Sequence, residues 1–223
     1  MIITDRFVYV HVPRTAGTVI EEMFATRYGL NDDPNQHGIL ADVTNRLSDE
    51  VYSFGFVRNP YAQEYSTWEL HCVETDWPRI TFDDWISWRY DDLCITERYH
   101  FPDGHGGDVI GRIFNINPSA GYFTDVSGER IATDIFRYEQ LEEAWDRISN
   151  KIEMDMRMQQ LPLSERYKAA YNNRTFDLVT KFRDTDISTF GYNFDGYDGC
   201  IPDHYNINPI VTHGYHCTRT YIE

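Results

Sequence analysis

The chain has 223 residues, with 36 acidic side chains against 20 basic ones and a formal net charge of −16. That length suits one domain with a full hydrophobic core that needs neither disulfides nor metal. The acidic balance disfavours nucleic acid, so any anionic ligand must sit in a local pocket where arginines and backbone amides outweigh the overall field.

In chain order, the first signal is the alternating run Phe7 to Val12, read as a strand, followed by a helix from Gly17 to Tyr28 with Ile20, Met23 and Phe24 on one face. Only Pro13 to Gly17 lie between them. A strand that enters a helix through so tight a turn leaves backbone N–H groups unpaired at the helix start, where the helix dipole adds positive potential. Gly17 lets the backbone approach a ligand, Thr15 and Thr18 add hydroxyls, and Arg14 adds a cation. On this segment alone, an ordinary turn capped by Thr18 is an equal reading. A Walker A loop is not, because the second glycine and the lysine before the hydroxyl residue are missing.

The polar NDDPNQ leads to an expected helix from His37 to about Leu47. Val51 to Val57 is nearly all apolar, as in a buried parallel strand, and two strands separated by helices imply an α/β sheet. Pro60 opens a helix through YAQEYSTWELHCVE, and TFDDWISWRY reads as a short capped helix. HFPDGHGGD reads as loop. The stretch from Gly121 to Leu141 alternates on both sides of Ser127-Gly128, as a hairpin or a short strand before a core strand would. EQLEEAWDRISNKI follows as a helix with Leu141, Trp145 and Ile148 inward, and ERYKAAYNNRTFDLVTKFRDTDISTFGY reads as two more helices.

A second anion signal sits at the end of the second strand. Arg58 falls at a carboxyl end, where open α/β sheets collect ligands, and Ser66 lies two helical turns on, able to face back. The plain alternative pairs Arg58 with an acid and turns Ser66 to solvent. Cys72, Cys94, Cys200 and Cys217 lack CxxC spacing, so reduced thiols are expected. The tail gathers Cys200, His204, His213, His216 and Cys217 without the tight pairs of a zinc site. It reads as a surface segment, with a metal site or a Cys200–Cys217 disulfide as lesser alternatives, and no metal is expected. With no apolar run of membrane-spanning length and a first strand directly after Met1, the expectation is a cytoplasmic protein with no membrane partner.

With both motifs in view, the chain resembles the sulfotransferases that use 3′-phosphoadenosine 5′-phosphosulfate (PAPS), in the branch of carbohydrate O-sulfotransferases and their bacterial and viral relatives. Pro13-Arg14-Thr15-Ala16-Gly17-Thr18 is similar to the family's PKTAGT loop. The likeness implies that Pro13, Arg14, Thr15, Ala16, Gly17, Thr18 and Val19 bind the 5′-phosphosulfate. Val57-Arg58-Asn59-Pro60-Tyr61 with Ser66 resembles the VRNPY motif and its serine, which implies that Arg58 and Ser66 bind the 3′-phosphate. YFTDVSGERIATDIFRYEQLEE and FRDTDISTFGY resemble later family segments, and by the first of these Arg137 would lie near the ligand end of the sheet.

The resemblance spans about residues 6 to 195. It implies a P-loop-NTPase-like three-layer fold, a central parallel sheet flanked by helices, over residues 1–195, with residues 196–223 as a tail packed on or extending from that domain. The implied activity is transfer of a sulfuryl group from PAPS, leaving PAP, to a hydroxyl of a carbohydrate or other small molecule. Arg14 stands where the family usually has a lysine that neutralises the leaving oxygen, and Gln63 stands where a second arginine often follows. His37 occupies the place of the family's catalytic His or Glu, with His71 and Glu69 as runners-up. His100 and His105 are candidates to meet the acceptor, and Trp77, Trp85, Trp88 and Tyr99 to wall it, although such aromatics are usually core. The alternative is a PAP- or PAPS-binding module that has lost turnover. The acceptor and the oligomeric state are not legible.

Overall fold

Strand β2 (Phe7–Val10) is buried along its whole length, and its pleat sends alternate side chains to opposite faces. The structure, a computed structural model, describes residues 1–30, 37–44, 51–72, 79–90, 118–155 and 157–208. Within it β2 runs parallel to β3 (Tyr52–Val57), and β3 runs parallel to β4 (Asp134–Arg137). A two-residue strand β1 (Ile2–Ile3) lies antiparallel on the outer edge of β2, giving the order β1-β2-β3-β4. The sheet is therefore mixed, with three parallel strands, and not wholly parallel. Ile2-Ile3 is too short to show any periodicity, so only pairing with β2 reveals it as a strand.

The pleat builds one core on each face of the sheet. Phe7, Tyr9, Phe54, Phe56 and Phe136 pack against α1 (Gly17–Tyr28) and α4 (Leu141–Ile152), through Ile20 and Phe24 of the first and Leu141, Trp145 and Ile148 of the second. The inward face expected of α4 is thus observed, while Met23 of α1 is only partly buried. On the opposite face Val8, Val10, Val12 and Val57 meet the 3-10 turn Ser119–Phe123 and Phe190. A third cluster joins α2 (Pro60–Cys72) and α3 (Phe82–Tyr90) through Tyr61, Trp85 and Ile86.

Three expectations are revised. The closing region holds three helices, α5 (Arg166–Ala170), α6 (Asn173–Phe182) and α7 (Asp184–Phe190). Asn172 starts α6 anew with a capping box shared with Thr175, which satisfies orphan N–H groups at a chain reversal. His37 lies in a turn ahead of a single 3-10 turn, Leu40–Asp42, and residues 45–47 of the expected helix fall outside the described residues. Around Ser127-Gly128 the chain does reverse, but with only one bridge, Thr124 to Arg130, because the Asp125 carboxylate accepts from the N–H groups of Ser127 and Glu129 and closes the turn itself. The described part of the tail packs back on the sheet. β5 (Tyr192–Asn193) pairs with β6 (Gly196–Tyr197), Ile207 is buried, and the Tyr205 hydroxyl donates to the Ala120 carbonyl at 3.0 Å. Among the described residues no helix is long and apolar enough to cross a membrane.

Where α2, α3 and the α6–α7 junction meet, the interior holds four charges. Arg183 donates to Asp186 at 2.6 Å, to Glu64 at 2.5 Å and to the Gln63 side-chain carbonyl at 2.6 Å. Glu64 also pairs with Arg89 at 2.8 Å and accepts from the Tyr90 hydroxyl at 2.7 Å. Asp186 accepts from the N–H groups of Ser119 and Ala120, both at 2.9 Å. Burial alone would raise the Glu64 carboxyl, but Arg89 and Arg183 outweigh it and hold the group below its ordinary value. Removing one member strands a buried opposite charge, so Arg183→Ala is expected to cost about 3–5 kcal/mol in urea unfolding. Arg166→Ala, whose side chain is 77% exposed and 3.7 Å from Glu69, is expected to cost under about 1 kcal/mol; equal costs for the two would rule out the interior charges as the source.

Candidate functional site

The turn between β2 and α1 departs from ordinary backbone at two non-glycine residues. Arg14 has φ +64° and Ala16 has φ +70°, both in the left-handed region. A side chain there costs on the order of 1 kcal/mol or more, and such strain concentrates where a ligand needs a particular backbone shape. Ala16 is also the residue before α1 and has no side chain able to cap it, and the first turn of the helix carries no acid. The N–H groups of Gly17, Thr18 and Val19 thus form the positive end of a helix whose own first turn supplies no carboxylate. Thr18 and Val19 are exposed beside it.

The two expected anion motifs come together here. Arg14 donates from Nε and Nη2 to the Ser66 hydroxyl, at 3.1 and 2.9 Å. Arg58 donates to the Arg14 carbonyl at 3.1 Å, and its guanidinium lies 4.5 Å from the centre of the Tyr138 ring. Among the described residues no carboxylate forms an ion pair with Arg58, and burial pulls the guanidinium below its ordinary value. A cation in that position gains from an anion brought to it.

Each remaining candidate has a definite place. The Pro13 carbonyl accepts from the Gln63 side-chain amide at 2.8 Å. Thr15 is fully buried and its hydroxyl donates to the Val12 carbonyl at 2.7 Å, so it shapes the turn and its side chain does not face a ligand. Arg137 turns away, donating to the Phe190 and Gly199 carbonyls under the Tyr197 ring. Trp85 is fully buried core, while Trp77, Tyr99, His100 and His105 lie outside the described residues, as does the side chain of Trp88. Of the Cys and His residues of the tail, Cys200 and His204 are described and His213, His216 and Cys217 are not.

His37 reaches the same end of the sheet through His11. The rings meet edge to face at 4.4 Å, and His37 Nδ1 lies 3.3 Å from the His11 carbonyl. A carbonyl only accepts, so Nδ1 carries the proton and Nε2 is left with a free lone pair. His37 is exposed overall, but desolvation of its ring where it packs on His11, and next the charge of His11, lower its pKa below the ordinary value. His71, the runner-up, stacks on Trp85 and is pulled down to about 4, by burial first and then by Arg14 and Arg89. Glu69 instead faces Arg166 at the surface.

Two residues of the site were not among the sequence candidates. His11 continues the Phe7-Tyr9 face of β2, stacks on Tyr9 and is held by Glu21 at 2.8 Å. That alternation, together with a glycine opening the helix on the same face, was the available signal. Gln63 precedes Ser66 by one helical turn, a spacing that puts both on one face of α2.

No family model matches the chain, and neither does any curated protein or solved structure.

Gly17 opens α1 directly on the His11 ring, where an added Cβ would lie 1.8 Å from Nε2. Gly17→Ala is therefore expected to destabilise the fold by about 1–3 kcal/mol through overpacking, and by clearly less in a His11→Ala background. A double-mutant cycle from urea melts measures the coupling, and independent effects would exclude the contact as the reason for glycine.

Proposed function

We propose that the protein is a PAPS-dependent sulfotransferase with a P-loop-like three-layer fold, acting on a hydroxyl of a carbohydrate or other small molecule. The observation that carries this reading is the strained, uncapped turn at residues 13–19 held against Arg58 and Ser66, two anion-binding elements at adjacent strand ends. The donor set fits a ligand with two separated phosphate-type groups. Backbone N–H groups and Arg14 suit one, and Arg58 with Ser66 suits the other. Arg14 links the two, since it belongs to the turn and its guanidinium donates to Ser66.

When bound, PAPS supplies the sulfuryl group. In this reading the amides of residues 15–19 and Arg14 hold the phosphosulfate and stabilise charge on the leaving phosphate oxygen. His37 Nε2 takes the proton of the acceptor hydroxyl as that oxygen attacks sulfur. The same reading carries a cytoplasmic setting and a small-molecule acceptor, with no nucleic-acid or membrane partner. A PAP-binding module without turnover is the second reading, favoured by one observation: the Arg14 guanidinium is engaged by Ser66 through two donors. Incubation with sulfur-labelled PAPS and a panel of sugars and phenols separates them. Label transfer supports the enzyme, PAP binding without transfer supports the module, and no PAP binding refutes both.

Arg58→Ala is expected to weaken PAP binding by about 2–4 kcal/mol, the range for losing a charge-assisted bond to a desolvated phosphate. Calorimetry giving an unchanged affinity would remove Arg58 from the site.

His37→Ala is expected to lower kcat by about 10² to 10⁴ while PAP affinity stays close to wild type. Only the neutral imidazole accepts a proton, so kcat/KM, which reports the free enzyme, should rise with pH through a value below that of an ordinary histidine and then stay level, following the lowered pKa. A His37→Ala variant with wild-type turnover and the same pH profile would exclude His37 as the base.

A further inference from the structure

We propose that Gln63 is the positioning residue of the anion-binding turn, transmitting the geometry of the buried Arg183 cluster to the backbone at Pro13. The inference rests on the reading of residues 13–19 as that turn, and assigns to it a support from a buried side chain of α2.

The argument starts from the amide itself. Gln63 is 6% exposed and uses both ends of its side chain. Nε2 donates to the Pro13 carbonyl at 2.8 Å, and Oε1 accepts from Arg183 Nη2 at 2.6 Å. Only one orientation of the amide satisfies a carbonyl on one side and a guanidinium on the other. Arg183 is in turn immobilised by Asp186 and Glu64, so the amide cannot swing without breaking a charge-assisted bond.

What Gln63 holds is a peptide plane. In a planar trans peptide the C=O and the following N–H point in opposite directions. Anchoring the Pro13 carbonyl therefore fixes the direction of the Arg14 N–H and the entry into the left-handed conformation at Arg14. Arg58 acts on the next plane in the same way, through the Arg14 carbonyl. Two consecutive planes of the turn are thus set by side chains, one from the end of β3 and one from α2. Proline at position 13 contributes a restricted φ and no competing donor.

The test uses the full chain. Gln63→Glu keeps an acceptor for Arg183 but places a second acceptor against the Pro13 carbonyl, and Gln63→Met keeps the length and loses both bonds. Both are expected to weaken PAP binding roughly tenfold, as for one lost hydrogen bond. Both should also introduce microsecond-to-millisecond relaxation dispersion at the backbone nitrogens of residues 14–18, absent from the wild type. Ser119→Ala touches the same cluster, at 3.4 Å from Gln63 Oε1, without reaching the turn, and should change neither readout. Folded Gln63 variants with wild-type affinity and no dispersion would overturn the proposal. So would a Ser119→Ala effect of equal size, or loss of folding in both Gln63 variants, which would make Gln63 a core residue. If the wild type binds no PAP, the sulfotransferase reading falls, and the dispersion comparison, which needs no ligand, still decides the role of Gln63.

Discussion

The described structure hangs on a buried guanidinium. Arg183 is 4% exposed and lies at the junction of α6 and α7, and its donors reach Asp186, Glu64 and Gln63. Through Asp186 it orders the 3-10 turn that covers one face of the sheet, through Glu64 it joins α2 to α3, and through Gln63 it reaches the turn after β2. Two acids and two arginines nearly cancel, which is what lets charges sit in an interior where a lone one would cost several kcal/mol. The arrangement ties elements far apart in sequence to one geometry, since Gln63 and Arg183 are 120 residues apart.

The turn between β2 and α1 needs this kind of outside support because its own backbone is unfavourable. Left-handed conformations at an arginine and an alanine persist only where the surroundings over-determine them. Here the Pro13 carbonyl is held by Gln63, the Arg14 carbonyl by Arg58, and the Val12 carbonyl by the Thr15 hydroxyl. Three consecutive acceptors are thereby taken up by side chains, and the N–H groups that follow are left to the helix end. In a chain of net charge −16 the turn still gathers a helix end and two arginines, whose field is strongest at contact distance, whereas distant exposed acids act across screening solvent.

In the proposed reading the histidines extend the same logic to proton transfer. His11 is pinned by Glu21, and its ring fills the space that Gly17 leaves at the start of α1. Its carbonyl fixes the tautomer of His37, and its proximity helps keep that ring neutral. In that reading, negative charge bound at the turn would raise the pKa of the His37 imidazole. Desolvation of the ring against His11 and the charge of that imidazole work in the opposite direction.

The local elements were legible because their signals are local. The apolar runs Phe7 to Val10 and Tyr52 to Val57, the bounds of α1 and the inward face of α4 follow from local side-chain pattern alone. So does the positive end of α1, which any tight strand-to-helix turn creates. Only the tertiary structure decided the rest. It recruited Ile2-Ile3 as an antiparallel edge, divided the closing region into three helices, and turned Thr15 and Arg137 inward although their types suit a ligand. It also made Gln63, which the motif comparison marked only as a departure, the link between the turn and a charge cluster assembled from residues 64, 89, 183 and 186. Periodicity reports which side of its own element a residue occupies. Which distant group satisfies a buried polar atom depends on how the elements pack, and no local pattern carries that.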